Sequence, residues 1–245
     1  VNGKNLLIGT PAYSGWLHTD YVKSLLETHA YCESVGVKVQ ATFLCQCARI
    51  TRARHEIVRL FMGSDFDNLL MIDSDIGWEP HAPVQLLEHD LPYVGAVTVK
   101  RGTEQMCMRN LDQHSKNYDY DPGRRLLRVG AVGTAFVMFS RQFFEAMERA
   151  YPNLMLSEET GGPAPYAFFS EMITPEGNFE GEDYSISNRW RAIGGEILVD
   201  PWITLSHTSV RQFRGSLADE MKLHVQVAAA AERGELDKPI AEAAD

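Results

Sequence analysis

The sequence predicts an α/β domain with a mostly parallel central sheet and helices on both faces. Apolar runs of strand length alternate with segments of helical periodicity through the first hundred residues. The connections between them are short, as they are in β-α-β units. The chain has 245 residues, enough for one such domain with a sizeable core.

"NLLIGTPAY" (5–13) is an apolar run closed by Gly, Thr and Pro, which reads as a buried first strand. "TDYVKSLLETHAYCESVG" (19–36) has helical periodicity, with Thr19 or Asp20 as N-cap and Gly36 as stop. "VKVQATFLC" (37–45) is rich in β-branched residues and reads as the second strand. In "ITRARHEIVRLFMGS" (50–64), Ile50, Ile57, Leu60 and Phe61 form the apolar stripe of a helix. "NLLMID" (68–73) is the third strand. "PHAPVQLLEHD" (80–90) is a short helix opened by proline, and "YVGAVTV" (93–99) is the fourth strand.

The second half is less regular. Residues 101–129 are polar and turn-rich, a hairpin excursion. "GAVGTAFVMFS" (130–140) reads as one strand with two early glycines, and "RQFFEAMERAY" (141–151) as a helix. The stretch 152–183 is long and rich in Gly, Pro and aromatics, the profile of a functional loop. "EDYSISNRWRAIGG" (182–195) reads as a helix and "EILVDP" (196–201) as a strand. Residues 202–216 trail away from that strand, and an Ala- and Glu-rich helix and tail follow from Leu217.

The formal net charge of -10 argues against binding phosphate backbones through the overall field. No apolar run approaches the ~20 residues that span a bilayer. No secretory signal is expected: Val1-Asn2-Gly3-Lys4 leads directly into the first strand, and the missing initiator Met reads as an excised domain. Cys32, Cys45, Cys47 and Cys107 lack zinc-site spacing. They are expected to be reduced thiols, with Cys45 and Cys47 packed in the core.

Three features carry chemistry. "LLMIDSDIGWEP" (69–80) ends a strand with Asp73 and Asp75, and a strand end would aim both carboxylates to one side. Like charges that close need a cation, which points to a hard divalent ion with oxygen ligands. "EGED" (180–183) opens a helix after the aromatic loop, where Asp183 is available as a general base or simply favoured by the helix dipole. His207 follows a strand and precedes Arg211 and Arg214. Imidazole can complete a carboxylate–metal site, and arginines can clamp a diphosphate.

Together with "GAVGTAF", these residues resemble a GT-A fold nucleotide-sugar glycosyltransferase of the inverting, family-two-like kind. That fold carries a D-x-D after a central strand, a glycine-rich strand start, an E-D pair opening a helix and a C-terminal histidine. Asp73/Asp75, Gly130/Gly133, Glu182/Asp183 and His207 stand here in that order. "ITRARHEIVRLF" is similar to a helix whose Ala-Arg-Asn signature holds nucleotide, with His55 in place of Asn. The compact form is also similar to stand-alone transferases of large viruses and phages.

The resemblance implies one Rossmann-like GT-A domain over 1–216. Residues 1–100 would be its nucleotide-binding half and 101–216 its acceptor half, with 217–245 a helix and flexible tail. It implies that Thr10, Pro11 and Tyr13 lie against the base of a UDP-sugar and that Arg54 holds the nucleotide. Ser74 and Gly133 would line the donor. Asp75 and His207 would ligate Mn2+ or Mg2+, with Asp73 on the ribose or on the metal through water. Arg211 and Arg214, with Lys100 as a lesser candidate, would close over the diphosphate. Asp183 would be the general base and Glu182 would hold the site. The acceptor would be a carbohydrate or other hydroxyl; a modified DNA base is disfavoured by the net charge. The location implied is the cytoplasm, or the host cytoplasm for a viral protein. A retaining transferase, a sugar nucleotidyltransferase and a non-catalytic sugar- or nucleotide-binding module remain as alternatives. "GTPAYSGWLH" lacks the basic residue that a nucleotidyltransferase phosphate loop carries.

Overall fold

The structure is a computed structural model that describes residues 1–100, 105–112, 117–157, 163–209, 212–219 and 221–222. Its elements run β1 (Asn5–Ala12), α1 (Thr19–Ser34), β2 (Lys38–Cys45), α2 (Ile50–Met62), β3 (Asn68–Ile72), β4 (Ile76–Trp78), α3 (Ala82–His89), β5 (Tyr93–Gly95), β6 (Met108–Asn110), β7 (Asp119–Asp121), β8 (Leu126–Val132), β9 (Phe136–Ser140), α4 (Arg141–Ala150), a 3-10 turn (Pro152–Leu154), β10 (Met172–Ile173), β11 (Phe179–Glu180), α5 (Glu182–Ala192), β12 (Leu198–Val199), β13 (Leu205–Thr208) and β14 (Gln212–Gly215).

The main sheet has the order β2-β1-β3-β9-β5-β12-β8-β6, with β7 also on β8. β1, β2, β3, β5 and β12 all run one way, while β9 lies antiparallel between β3 and β5 and β8 lies antiparallel to β12. The protein is therefore an α/β domain with a mostly parallel central sheet. Side-chain alternation sorts the core onto two faces. Leu6, Ile8, Leu70 and Ile72 pack with Tyr21 and Cys32 of α1 and Leu86 and Leu87 of α3. Leu7, Leu69 and Met71 pack with Ile57 and Phe61 of α2, Phe143 and Phe144 of α4 and Ile186 of α5. Helices thus cover both faces.

Gly9 sets how close α2 comes to the sheet. A Cβ at Gly9 would sit 2.3 Å from Ile57 Cγ2, so only glycine admits this packing distance. Ser140 accepts from the Phe143 N–H and caps α4. α5 carries Glu182 and Asp183 in its first turn and Arg189 and Arg191 in its last, both favourable to the helix dipole. Among the described residues, no helix is long and apolar enough to cross a membrane.

Several expected elements differ. Residues 130–140 are not one strand: β8 and β9 are separated by a turn at 133–135, which lies beside the end of β3, where the Asp73 N–H donates to the Ala135 carbonyl. The fourth strand stops at Gly95, two residues after it starts. The N-cap position of α1 is His18, whose side chain makes no capping bond, and Thr19 is already helical. Residues 202–216 do not trail away. Their described part forms the β13–β14 hairpin, and β13 pairs antiparallel with β4. Cys45 is exposed and Cys47 half-buried rather than in the core, because β2 is the edge strand and both lie at or past its end. All four cysteines are free thiols. The expected C-terminal helix and tail fall almost wholly outside the described residues.

Candidate active site

Asp73, Ser74 and Asp75 form a tight turn, not a continuing strand: the Ile76 N–H donates to Asp73 C=O at 3.2 Å. Strand alternation therefore does not govern the two carboxylates, and they part. Asp73 turns to Arg54, whose Nη2 donates to Oδ1 at 3.1 Å. Asp75 turns to His207, with Oδ2 3.5 Å from Nε2. Each acid of the pair faces its own nitrogen group, and the cation that Asp73 requires is supplied by the chain itself.

Arg54 is the centre of the first cluster. Its side chain is 2% exposed, and its Nη1 donates to Glu182 Oε1 at 2.7 Å and to Asp183 Oδ1 at 2.8 Å. One guanidinium from α2 thus joins the end of β3 to the start of α5. Burial works against the charge, but Asp73, Asp183 and Glu182 outweigh it and raise the pKa above the ordinary arginine value. Thr134 donates its hydroxyl to the same Oδ1 of Asp183. Both bonds fall on Oδ1, and Oδ2 lies towards Gly133, where a Cβ would be 3.8 Å away. A Cβ at 133 would only touch that oxygen, and its tighter contact, 3.2 Å, would be with Cys107 Cβ.

The second cluster is Asp75 with His207. β13 places His207 opposite Ile76 on β4. His207 Nδ1 is 2.8 Å from the Val99 carbonyl, which can only accept, so Nδ1 carries the proton. In the neutral ring, Nε2 then turns a lone pair towards the buried Asp75. Two acceptors 3.5 Å apart suit a shared cation: two ligand atoms each about 2.1 Å from one ion lie roughly 3–3.5 Å apart. The carbonyl that fixes the ring is the usual outer-shell partner of a ligating histidine. Among the described residues, no group of three or more His, Cys, Asp or Glu side chains converges on one ion position. The donor set fits a divalent ion held by two protein ligands, with water and phosphate oxygens completing the shell.

Other sequence candidates lie elsewhere. Thr10 is buried with its hydroxyl 2.6 Å from Tyr21 OH, and Pro11 is buried in β1. Tyr13 is 64% exposed. Its carbonyl accepts from the Gln46 N–H, next to a cavity of about 540 Å³ lined by Cys45, Gln46, Arg49, His55 and Pro165 among others. The clustered carboxylates do not line that cavity. Ser74 is half-buried, its carbonyl accepting from His18 N–H, and Lys100 is exposed. Arg214 shares a face of the hairpin with Ser206, opposite to the face of His207, and its Nη2 is 3.7 Å from Glu79. The structure does not bring Arg214 to the site. Arg211 lies outside the described residues.

No protein-family model matches the chain, and no curated protein matches it.

Two residues beside Asp183 were missed by sequence reasoning. Thr134 sits within "GAVGTAF", so its signal was the glycine before it. Cys107 packs against Gly133, and burial followed by the nearby Asp183 raises its thiol pKa, partly offset by a hydrogen bond with Thr98. Nothing in its sequence context marked it. His55 is explained by the loop: its Nε2 accepts from the Phe169 N–H at 3.0 Å. Burial and then Arg189 hold its pKa down at about 4, so the ring is neutral and acts as an acceptor. Phe168 and Phe169 are core residues, whereas Phe179 is exposed.

Proposed function

We propose that the protein is a metal-dependent glycosyltransferase that moves a sugar from a nucleotide-sugar, of the UDP-sugar kind, to an acceptor hydroxyl with inversion. The observation that carries this reading is the pair of clusters built on the two acids of the turn that follows β3. Asp183 is fixed through Oδ1 by Arg54 and Thr134, and Asp75 Oδ2 lies 3.5 Å from His207 Nε2. The turn that carries Asp73 and Asp75 follows the carboxyl end of β3 in the central sheet, the end at which α/β sheets bind ligands.

In this reading Asp75 and His207 would hold Mn2+ or Mg2+, which would supply positive charge against the diphosphate. Arg54 and Thr134 orient Asp183, so that Oδ2 receives the proton of the acceptor hydroxyl. The acceptor oxygen bonds to the anomeric carbon as the bond to the diphosphate breaks on the opposite face, and the configuration inverts. Glu182 and Asp73 keep Arg54 in place. The 540 Å³ cavity beside Tyr13 is assigned to the donor's nucleoside.

The test is release of nucleoside diphosphate from a panel of nucleotide-sugars, with Mn2+ or with excess chelator. Release that needs the ion supports the reading. No release from any donor, or release unchanged by chelator, refutes it.

A further inference from the structure

A separate cavity of about 340 Å³ opens between α3, the β7–β8 turn and the chain just after β12. None of its residues belongs to the carboxylate clusters, so ligand binding there is independent of the glycosyltransferase reading. Its floor is Asp200, 2% exposed, which accepts from Gln85 Nε2 at 2.8 Å and from the Trp202 N–H at 2.9 Å and lies 2.8 Å from His89 Nε2. Burial works against its charge, but the bonds from His89, Trp202 and Gln85 outweigh it and lower the pKa. An ionised Asp200 accepts from His89 Nε2–H, which leaves Nδ1 on the side of the ring away from that bond. One buried carboxylate thus orients three groups of the lining.

The rim is also organised. Trp202 is 46% exposed and Tyr31 36% exposed. The Arg125 guanidinium lies 5.7 Å from the Trp202 ring centroid. Among the described residues Arg125 is one of three non-glycine residues with a left-handed backbone, φ 60°, a conformation that costs energy and recurs at ligand sites. Among the described residues Arg125 has no carboxylate partner, whereas Arg124 is tied to Glu196 and Asp121. Glu88 also lines the cavity and favours a ligand that brings a proton with its anion.

We propose that this cavity is a second ligand site, for a small phosphate monoester that carries a planar ring. The ring stacks beside Trp202 and Tyr31. Arg125, over the indole ring, offers its N–H groups to the phosphate oxygens. One proton is shared between a phosphate oxygen and His89 Nδ1, the ring nitrogen not bonded to Asp200.

Phenyl phosphate is the minimal probe, with inorganic phosphate and phenol as its two halves. Titration is followed at the Trp202 indole N–H by NMR, assigned with Trp202→Phe. Phenyl phosphate should saturate that signal and bind at least about tenfold more tightly than either half. Arg125→Gly should weaken it about tenfold while the backbone, which suits glycine at φ 60°, stays folded. Asp183→Asn should leave it unchanged, even if that variant shows the active-site reading to be wrong. A Trp202 signal that does not saturate, equal binding by Arg125→Gly, or equal binding of phosphate alone would overturn the proposal.

Discussion

Arg54, in the second turn of α2, donates a hydrogen bond of 2.8 Å to Asp183, 129 residues further along the chain at the start of α5. The same guanidinium holds Asp73 and Glu182. The candidate base is thus fixed by a buried cation, not by the helix start alone.

Removing that cation should be costly. Arg54→Met leaves three carboxylates facing one another across a buried space, and it should destabilise the fold by about 3 kcal/mol. Asp73, Glu182 and Asp183 keep 23–33% side-chain exposure, so water limits the loss. Urea unfolding measures it. Arg54→Lys keeps the charge but loses the fork, and should recover only part of the stability.

Gly9 positions the same helix. Gly9→Val places branched carbons where Ile57 already stands, so α2 must move outward. The expected loss is about 1–3 kcal/mol in urea unfolding, the usual range for overpacking. Arg54 would move with α2.

His55 predicts a pH dependence. Its folded pKa of about 4 lies below the ordinary 6.5. The unfolded chain therefore takes up a proton first as pH falls, and stability declines between about 6.5 and 4. A shift of that size corresponds to roughly 3 kcal/mol, fully present above pH 6.5 and lost by pH 4. His55→Gln offers an uncharged acceptor to Phe169, so its stability should fall less over that window in urea titrations at stepped pH.

β1, β2, β3 and β5, the first three helices and the D-x-D region were legible because apolar period and short connections mark them locally, whereas β4 was not, being a three-residue strand paired only with the distant β13. The fate of the two aspartates was not. Asp73 and Asp75 part because a turn intervenes and because Arg54 and His207 approach from different elements, which no local pattern encodes. The β8–β9 break was hidden inside one continuous apolar stretch, with only Gly133 as punctuation. His207 could be picked out by type, but its neighbour depended on β13 pairing with β4, a contact of long sequence separation. The same pairing carries Arg214 to the opposite face, the reverse of what its proximity in sequence to His207 suggested.

Asp75 and His207 make a prediction about ion binding. Asp75→Ala and His207→Ala should each weaken Mn2+ binding in the presence of UDP by more than the about 10–100-fold typical of an outer-shell change. Electron paramagnetic resonance of free Mn2+ measures this. Wild-type affinity in both variants would remove the ion from this position.

The most direct measurement compares wild type with Asp183→Asn on a nucleotide-sugar and acceptor that the wild type turns over with Mn2+. The amide keeps a similar shape and can still accept from Arg54 and Thr134, but it cannot take the acceptor's proton. Donor binding by calorimetry should be retained. Transfer should fall by about two to four orders of magnitude, and NMR of the wild-type product should show the inverted anomeric configuration. Near-normal transfer by Asp183→Asn, or a retained configuration, would contradict the account.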